Sequence, residues 1–80
     1  MDKSGILEKV NAIFIDVLDN ENIILTYDTT ANDVEDWDSL NNIQLLVAIE
    51  KQFRIRFTSG EFHSWINIGD MVNSISSKIN

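Results

Sequence analysis

EDWDSLNNIQLLVAIEKQF, residues 35–53, changes character at Ser39: acids crowd before it and an unbroken helical pattern follows it. From residue 40 to 53 there is no Pro or Gly, and good helix formers fill the stretch. At 100° per residue, Leu40, Ile43, Leu45, Leu46, Val47, Ile49 and Phe53 spread over roughly 220° of the helix, more than a one-sided surface helix needs. Asn41, Gln44, Ala48, Lys51 and Gln52 fill the remaining arc. Such a helix is either the most buried of its domain, or packs with one flank and shows the other to a partner.

Working outward, Ile6, Leu7, Val10, Ile13, Phe14, Val17 and Leu18 follow the three-and-four spacing of another helix, with Ser4 as its expected N-cap. Between residues 19 and 38 the periodicity fails. Asp, Asn and Thr there bond to nearby backbone and favour turns, so the spacing predicts a long loop. Ile23, Ile24 and Leu25 form a short apolar knot, and the isoleucines, Val34 and Trp37 are the expected anchors. Downstream, Thr58 with Glu61 has the form of a capping box and opens a short helix that carries Phe62 and Trp65 inward. Asn67 with Asp70 is an imperfect second box, before a helix from about Ile68 to Ile79 that shows Ile68, Met71, Val72, Ile75 and Ile79 on one face. The fold class is therefore all-α: a four-helix bundle of three longer helices and a short third one, with the long loop between helices 1 and 2. Eighty residues, 1–80, make one domain with a modest core.

With no cysteine, neither a disulfide nor a thiolate metal site is available. The net charge is −7, and eight acids but no Lys or Arg lie between residues 16 and 38. Such a field repels phosphate backbones and favours a basic protein partner, although it also serves simply to keep a small domain in solution. No apolar run approaches the ~18 residues of a membrane span. A monomer in a cytoplasmic setting, without nucleic acid, is the expectation.

Enzyme chemistry lacks parts. The single histidine, His63, sits between Phe62 and Ser64 with nothing to tie it to Ser39 as a base, and Ser39 has no G-x-S-x-G elbow. Asp28, Asp33, Glu35, Asp36 and Asp38 do not fall into the alternation of a calcium loop. Gly5, Gly60 and Gly69 are too scattered to cradle a phosphate. No catalytic residue and no metal site is expected. Ser39 has one bland reading, as the N-cap of the helix it opens. Asp38 is itself a good cap, however, so Ser39 need not be one.

Asp38-Ser39-Leu40 at the head of a long second helix resembles the acyl carrier protein family. DVEDWDSLNNIQLLVAIEKQF is similar to the family's loop and second helix at nearly every position, and RFTSGEF and NIGDMVNSISSKI resemble its third and fourth helices. The resemblance implies that Ser39 is an attachment site rather than a catalyst. A phosphopantetheinyl transferase moves 4′-phosphopantetheine from coenzyme A onto the serine, and the arm's thiol carries acyl groups as thioesters. Asp38 is then a recognition residue for the transferase, and Leu40 and Val47 are apolar contacts for partners. Further partners implied are an acyl-loading ligase or acyltransferase and downstream synthase or transferase enzymes.

The chain departs from the fatty-acid type where that type's second helix is acidic on its exposed face. Asn41, Gln44 and Lys51 stand at the matching positions, which points to a changed clientele. Glu50 is expected to pair with Arg54 four residues on. Trp37 and Asn41 look more like stand-alone carriers of secondary metabolism. Fatty-acid, polyketide or other specialised biosynthesis are the pathways implied. A D-alanyl, aminoacyl or peptidyl carrier is the alternative within the class, and a non-carrier acidic helical adaptor is the alternative outside it.

Overall fold

Asp2 begins the first helix, and not Ser4. In the computed structural model, which describes residues 2–79 and only the backbone of Ser39, α1 spans Lys3–Leu18 and the Asp2 carboxylate accepts from Gly5 N–H at 2.8 Å. Ser4 lies inside the first turn, where its hydroxyl donates to the same carboxylate at 3.0 Å. These two bonds, the backbone one foremost, hold the Asp2 carboxyl below its usual range. The apolar face of α1 buries Ile6, Val10, Phe14 and Leu18. The helix ends at Asp19, in the left-handed region at φ 51°.

The connection that follows is a loop clamped to α1 and α4. Asn11 of α1 accepts from Leu25 N–H at 2.7 Å and donates to the Ile23 carbonyl at 3.3 Å, holding this segment extended. Alternation along an extended segment then sends Ile23 and Leu25 inward and Ile24 outward, where it is 83% exposed, so Ile24 is not an anchor. Past a Thr26–Thr29 turn, the Tyr27 and Thr29 carbonyls accept from Gly69 and Ile68 N–H at 2.7 and 2.8 Å. The loop thus satisfies donors that a helix leaves open at its start. A 3₁₀ turn at Ala31–Asp33, closed by a Thr30/Asp33 capping box, interrupts the loop and leads to buried Val34.

Helix α2, Ser39–Phe53, packs on α1 with one flank. Leu45, Leu46 and Ile49 are buried, whereas Leu40, Ile43 and Val47 are 72%, 63% and 43% exposed. The broad apolar arc therefore resolves into an inner flank and an open one. Arg54 ends the helix at φ 57°, and Glu50 turns away from it: its Oε2 accepts from Phe57 N–H at 2.8 Å. The expected Glu50–Arg54 pair is not formed; among the described residues the one ion pair is Lys78–Glu61, at 2.9 Å.

The expected capping box opens α3, Ser59–His63, with Thr58 Oγ1 accepting from Glu61 N–H and Glu61 Oε1 from Thr58 N–H. Trp65 falls after this helix, half-buried, its ring edge-on to Phe57 at 4.9 Å and its indole N–H bonded to Ser74 Oγ at 2.8 Å. α4 spans Ile68–Ile79 and buries Ile68, Met71, Val72 and Ile75, with Ile79 partly buried. The second box forms by half: Asn67 accepts from Asp70 N–H, but the Asp70 carboxylate accepts from Ile66 N–H. Four α-helices and no strand among the described residues bear out the all-α bundle. Its core joins α1, α4, the inner flank of α2 and the loop anchors Ile23, Leu25 and Val34.

Candidate functional site

Asp38 takes the capping position of α2. Its backbone is extended and its Oδ1 accepts from Asn41 N–H at 2.9 Å, which leaves Ser39 as the first helical residue. The reading of Ser39 as the cap is thereby displaced: a carboxylate one position earlier serves that need, worth about 1 kcal/mol. Behind it, Asn42 N–H donates to the Asp38 carbonyl at 2.8 Å, the first bond of the helical ladder.

Three side chains fix this junction in space. Trp37 is half-buried and meets Phe14 of α1 edge-on at 4.9 Å, a geometry aromatic pairs favour. Its indole N–H donates to Asn42 Oδ1 at 2.9 Å, bridging across Asp38, Ser39, Leu40 and Asn41. Asn41, also half-buried, donates its side-chain amide to the Asp36 carbonyl at 2.7 Å. The loop end and the first turn of α2 are thus laced together, and the serine backbone rides on a stiff base. A groove of about 410 Å³ opens beside it, walled by Trp37, Asp38, Phe62, Trp65, Ile66 and Met71 among others.

The open flank of α2 carries the other sequence-predicted residues. Leu40 and Val47 lie on it with Ile43, and Gln44 and Lys51 are exposed beside them. Asn41 differs from these because its amide is already engaged in the junction. Ile43 belongs with Leu40 by position, one turn on, and the same helical winding that placed Leu40 would have found it. Asn42 and Ile66 carried no sequence signal. The five-residue Trp37–Asn42 bridge matches no standard helical spacing, and Ile66, 76% exposed, lies in a connection. His63 is exposed, with its ring against Phe62 at 4.8 Å.

The arrangement suits a covalently tethered anion. A serine at the first position of a 15-residue helix meets the positive end of the helix dipole and its open N–H groups, which favour an attached phosphate. A chain without cysteine that worked through sulfur would need its thiol supplied on such a tether.

Residues 8–75 match the family model described as phosphopantetheine attachment site. The chain is 31% identical to the acyl carrier protein of Petrotoga mobilis over 80 residues, spanning 100% of this chain and 94% of that one. It is 32% identical to the acyl carrier protein of Thermosynechococcus vestitus over 83 residues, spanning 99% and 98% respectively. Its fold superposes on the solution structure of holo acyl carrier protein from Geobacter metallireducens with a TM-score of 0.86 at 37% identity, covering 91% of this chain and 84% of that one. No described helix is long and apolar enough to cross a membrane.

Proposed function

Since the chain belongs to the acyl carrier protein family, whose covalent group is 4′-phosphopantetheine, we propose that it carries acyl intermediates as thioesters on that arm, attached at Ser39. The observation that carries this reading is the junction itself: Asp38 caps α2, so the serine that follows is left over for another use. In the loading step the Ser39 hydroxyl oxygen forms a bond to the pantetheine-bearing phosphorus of coenzyme A. The pyrophosphate bond breaks, the nucleotide half leaves, and the serine proton passes to a base on the phosphopantetheinyl transferase. Once bound, the arm supplies the thiol on which thioesters form.

The chain's own residues do the positioning. The Trp37–Asn42 bridge and the Asn41–Asp36 bond hold the attachment point still, so the arm moves while its root does not. Asp38 stands next to the attachment point for the transferase to recognise. Leu40, Ile43 and Val47 give transferase, loading ligase or acyltransferase, and downstream synthase or transferase a shared apolar contact. Asn41, Gln44 and Lys51 replace acids along the rim, which shifts the choice of partners toward a specialised pathway in the cytoplasm, whether for fatty acids, polyketides or related products.

The reading is tested by incubating the protein with coenzyme A, magnesium and a broad-specificity transferase. Intact mass should rise by one phosphopantetheine, and Ser39→Ala should show no rise. No gain with several transferases, or an equal gain in Ser39→Ala, overturns it.

A further inference from the structure

The charge beside α2 changes sign from one end of the helix to the other. Just before its start come Glu35, Asp36 and Asp38, all exposed, at the end of a loop that also carries exposed Asp28 and Asp33. At its end a groove of about 450 Å³ is lined by Val47, Glu50, Lys51, Arg54, Ile55 and Arg56. We propose that this basic, part-apolar groove is a docking surface for a partner protein that presents an apolar ridge ending in a cluster of carboxylates. The inference deepens the carrier reading and rests on it for the kind of visitor that calls.

Several observations converge on that partner. At 100° per residue Lys51 falls in line with Leu40 and Val47, so the exposed apolar stripe of α2 runs directly into a cation. Lys51, Arg54 and Arg56 are exposed, and among the described residues none is in an ion pair. The one acid in the groove, Glu50, is half-buried and turned to Phe57 N–H, which leaves the cations in excess. Arg54 occupies the left-handed region, where glycine is at ease and other L-residues are held at a cost of about 1 kcal/mol. The dipole of α2 accounts for one cation at this end. That cation is Lys51, in the last turn; Arg56, beyond the helix, is left over.

The net charge of −7 does not cancel this patch. Helical rise puts Asp38 and Lys51 about 20 Å apart along α2. Screening at physiological salt acts over about 8 Å, so local sign governs what each end receives. An acidic ridge fits the Lys51–Arg56 end, and a uniformly basic face is repelled there.

The test uses the isotope-labelled protein at physiological salt and two amphipathic helical peptides, one with a Leu stripe flanked by Glu and one with Lys in place of every Glu. The Glu peptide should move the backbone amide signals of residues 47–56, and Lys51→Glu/Arg56→Glu should weaken its binding about tenfold. The Lys peptide should move signals of residues 28–38 instead. A Glu peptide that leaves residues 47–56 unmoved, a Lys peptide that lands on them, or unchanged binding by the double variant overturns the proposal. Intact mass after transferase treatment of the same preparation separates the two readings. Loading without peptide binding overturns the surface alone; peptide binding by a chain that is never loaded leaves the surface and overturns the carrier.

Discussion

The indole N–H of Trp37 donates to Asn42 Oδ1 at 2.9 Å and so spans the start of α2, from the cap Asp38 through Asn41. Because Trp37 also rests edge-on against Phe14, the bridge ties the start of α2 to the core face of α1.

Trp37→Phe keeps an aromatic ring near Phe14 but removes the N–H together with part of the indole's packing surface. It should cost about 1 kcal/mol, a fall of roughly 4–8 °C in Tm for a domain of this size, read by thermal unfolding. Transferase loading should also slow, since the serine would ride on a looser base. An unchanged melting curve together with an unchanged loading rate would remove the bridge from the account.

Asp38 and Ser39 should separate cleanly under substitution. Asp38→Ala removes the cap and should destabilise by about 1 kcal/mol. Ser39→Ala should stay within about 0.5 kcal/mol of the parent, since Asp38 and not the serine serves as the cap. Urea unfolding of the two variants decides it; a larger loss in Ser39→Ala would make the serine the true cap.

Gly69 is required by close approach rather than by its backbone angles. A Cβ there would lie 2.9 Å from the Tyr27 carbonyl oxygen, the same oxygen that accepts Gly69 N–H. Gly69→Ala should therefore cost about 1–3 kcal/mol, in the range of an overpacked site, whereas a Cβ at Gly60 would meet only Thr58 Oγ1 at 3.9 Å, an ordinary contact that makes Gly60→Ala mild. Paired denaturation curves test the contrast.

The hold of α4 on α3 should fail in acid. The Lys78 hydrogen bond, followed by the Thr58 N–H, draws the Glu61 carboxyl below its ordinary value of 4.5. A depressed folded value means the contribution is complete above pH 4.5 and is lost as pH falls through the lowered value. Protection of the amides of residues 58–63, taken relative to the intrinsic exchange rate at each pH, should fall in that window, and Glu61→Gln should show the lower protection already at neutral pH.

Local chemistry was the legible part of this chain. The Thr58/Glu61 box and the run from Ile68 to Ile79 lie within one helical turn or one helical face, so spacing alone predicts them. What stayed hidden depends on groups distant in sequence. Ile24 looked like an anchor because it is apolar; only the clamp from Asn11, on another helix, fixes which side of the chain it faces. Ser4 was the expected cap, but the helix starts earlier and Asp2 takes that position. At the site, Asp38-Ser39-Leu40 was visible as a pattern, while the Trp37–Asn42 bridge was not, because its donor lies outside the helix that holds its acceptor. Glu50 was read as a partner for Arg54 by helical spacing, but the chain reverses after α2 and brings Phe57 N–H within its reach.

The Tyr27 and Thr29 carbonyls complete the first turn of α4 from the other half of the chain. Neither partner can let go alone, since release strips donors from one and acceptors from the other. Loop and terminal helix should consequently melt as one cooperative unit, and the exchange of the Ile68 and Gly69 amide protons becomes a direct gauge of how often the loop between α1 and α2 opens.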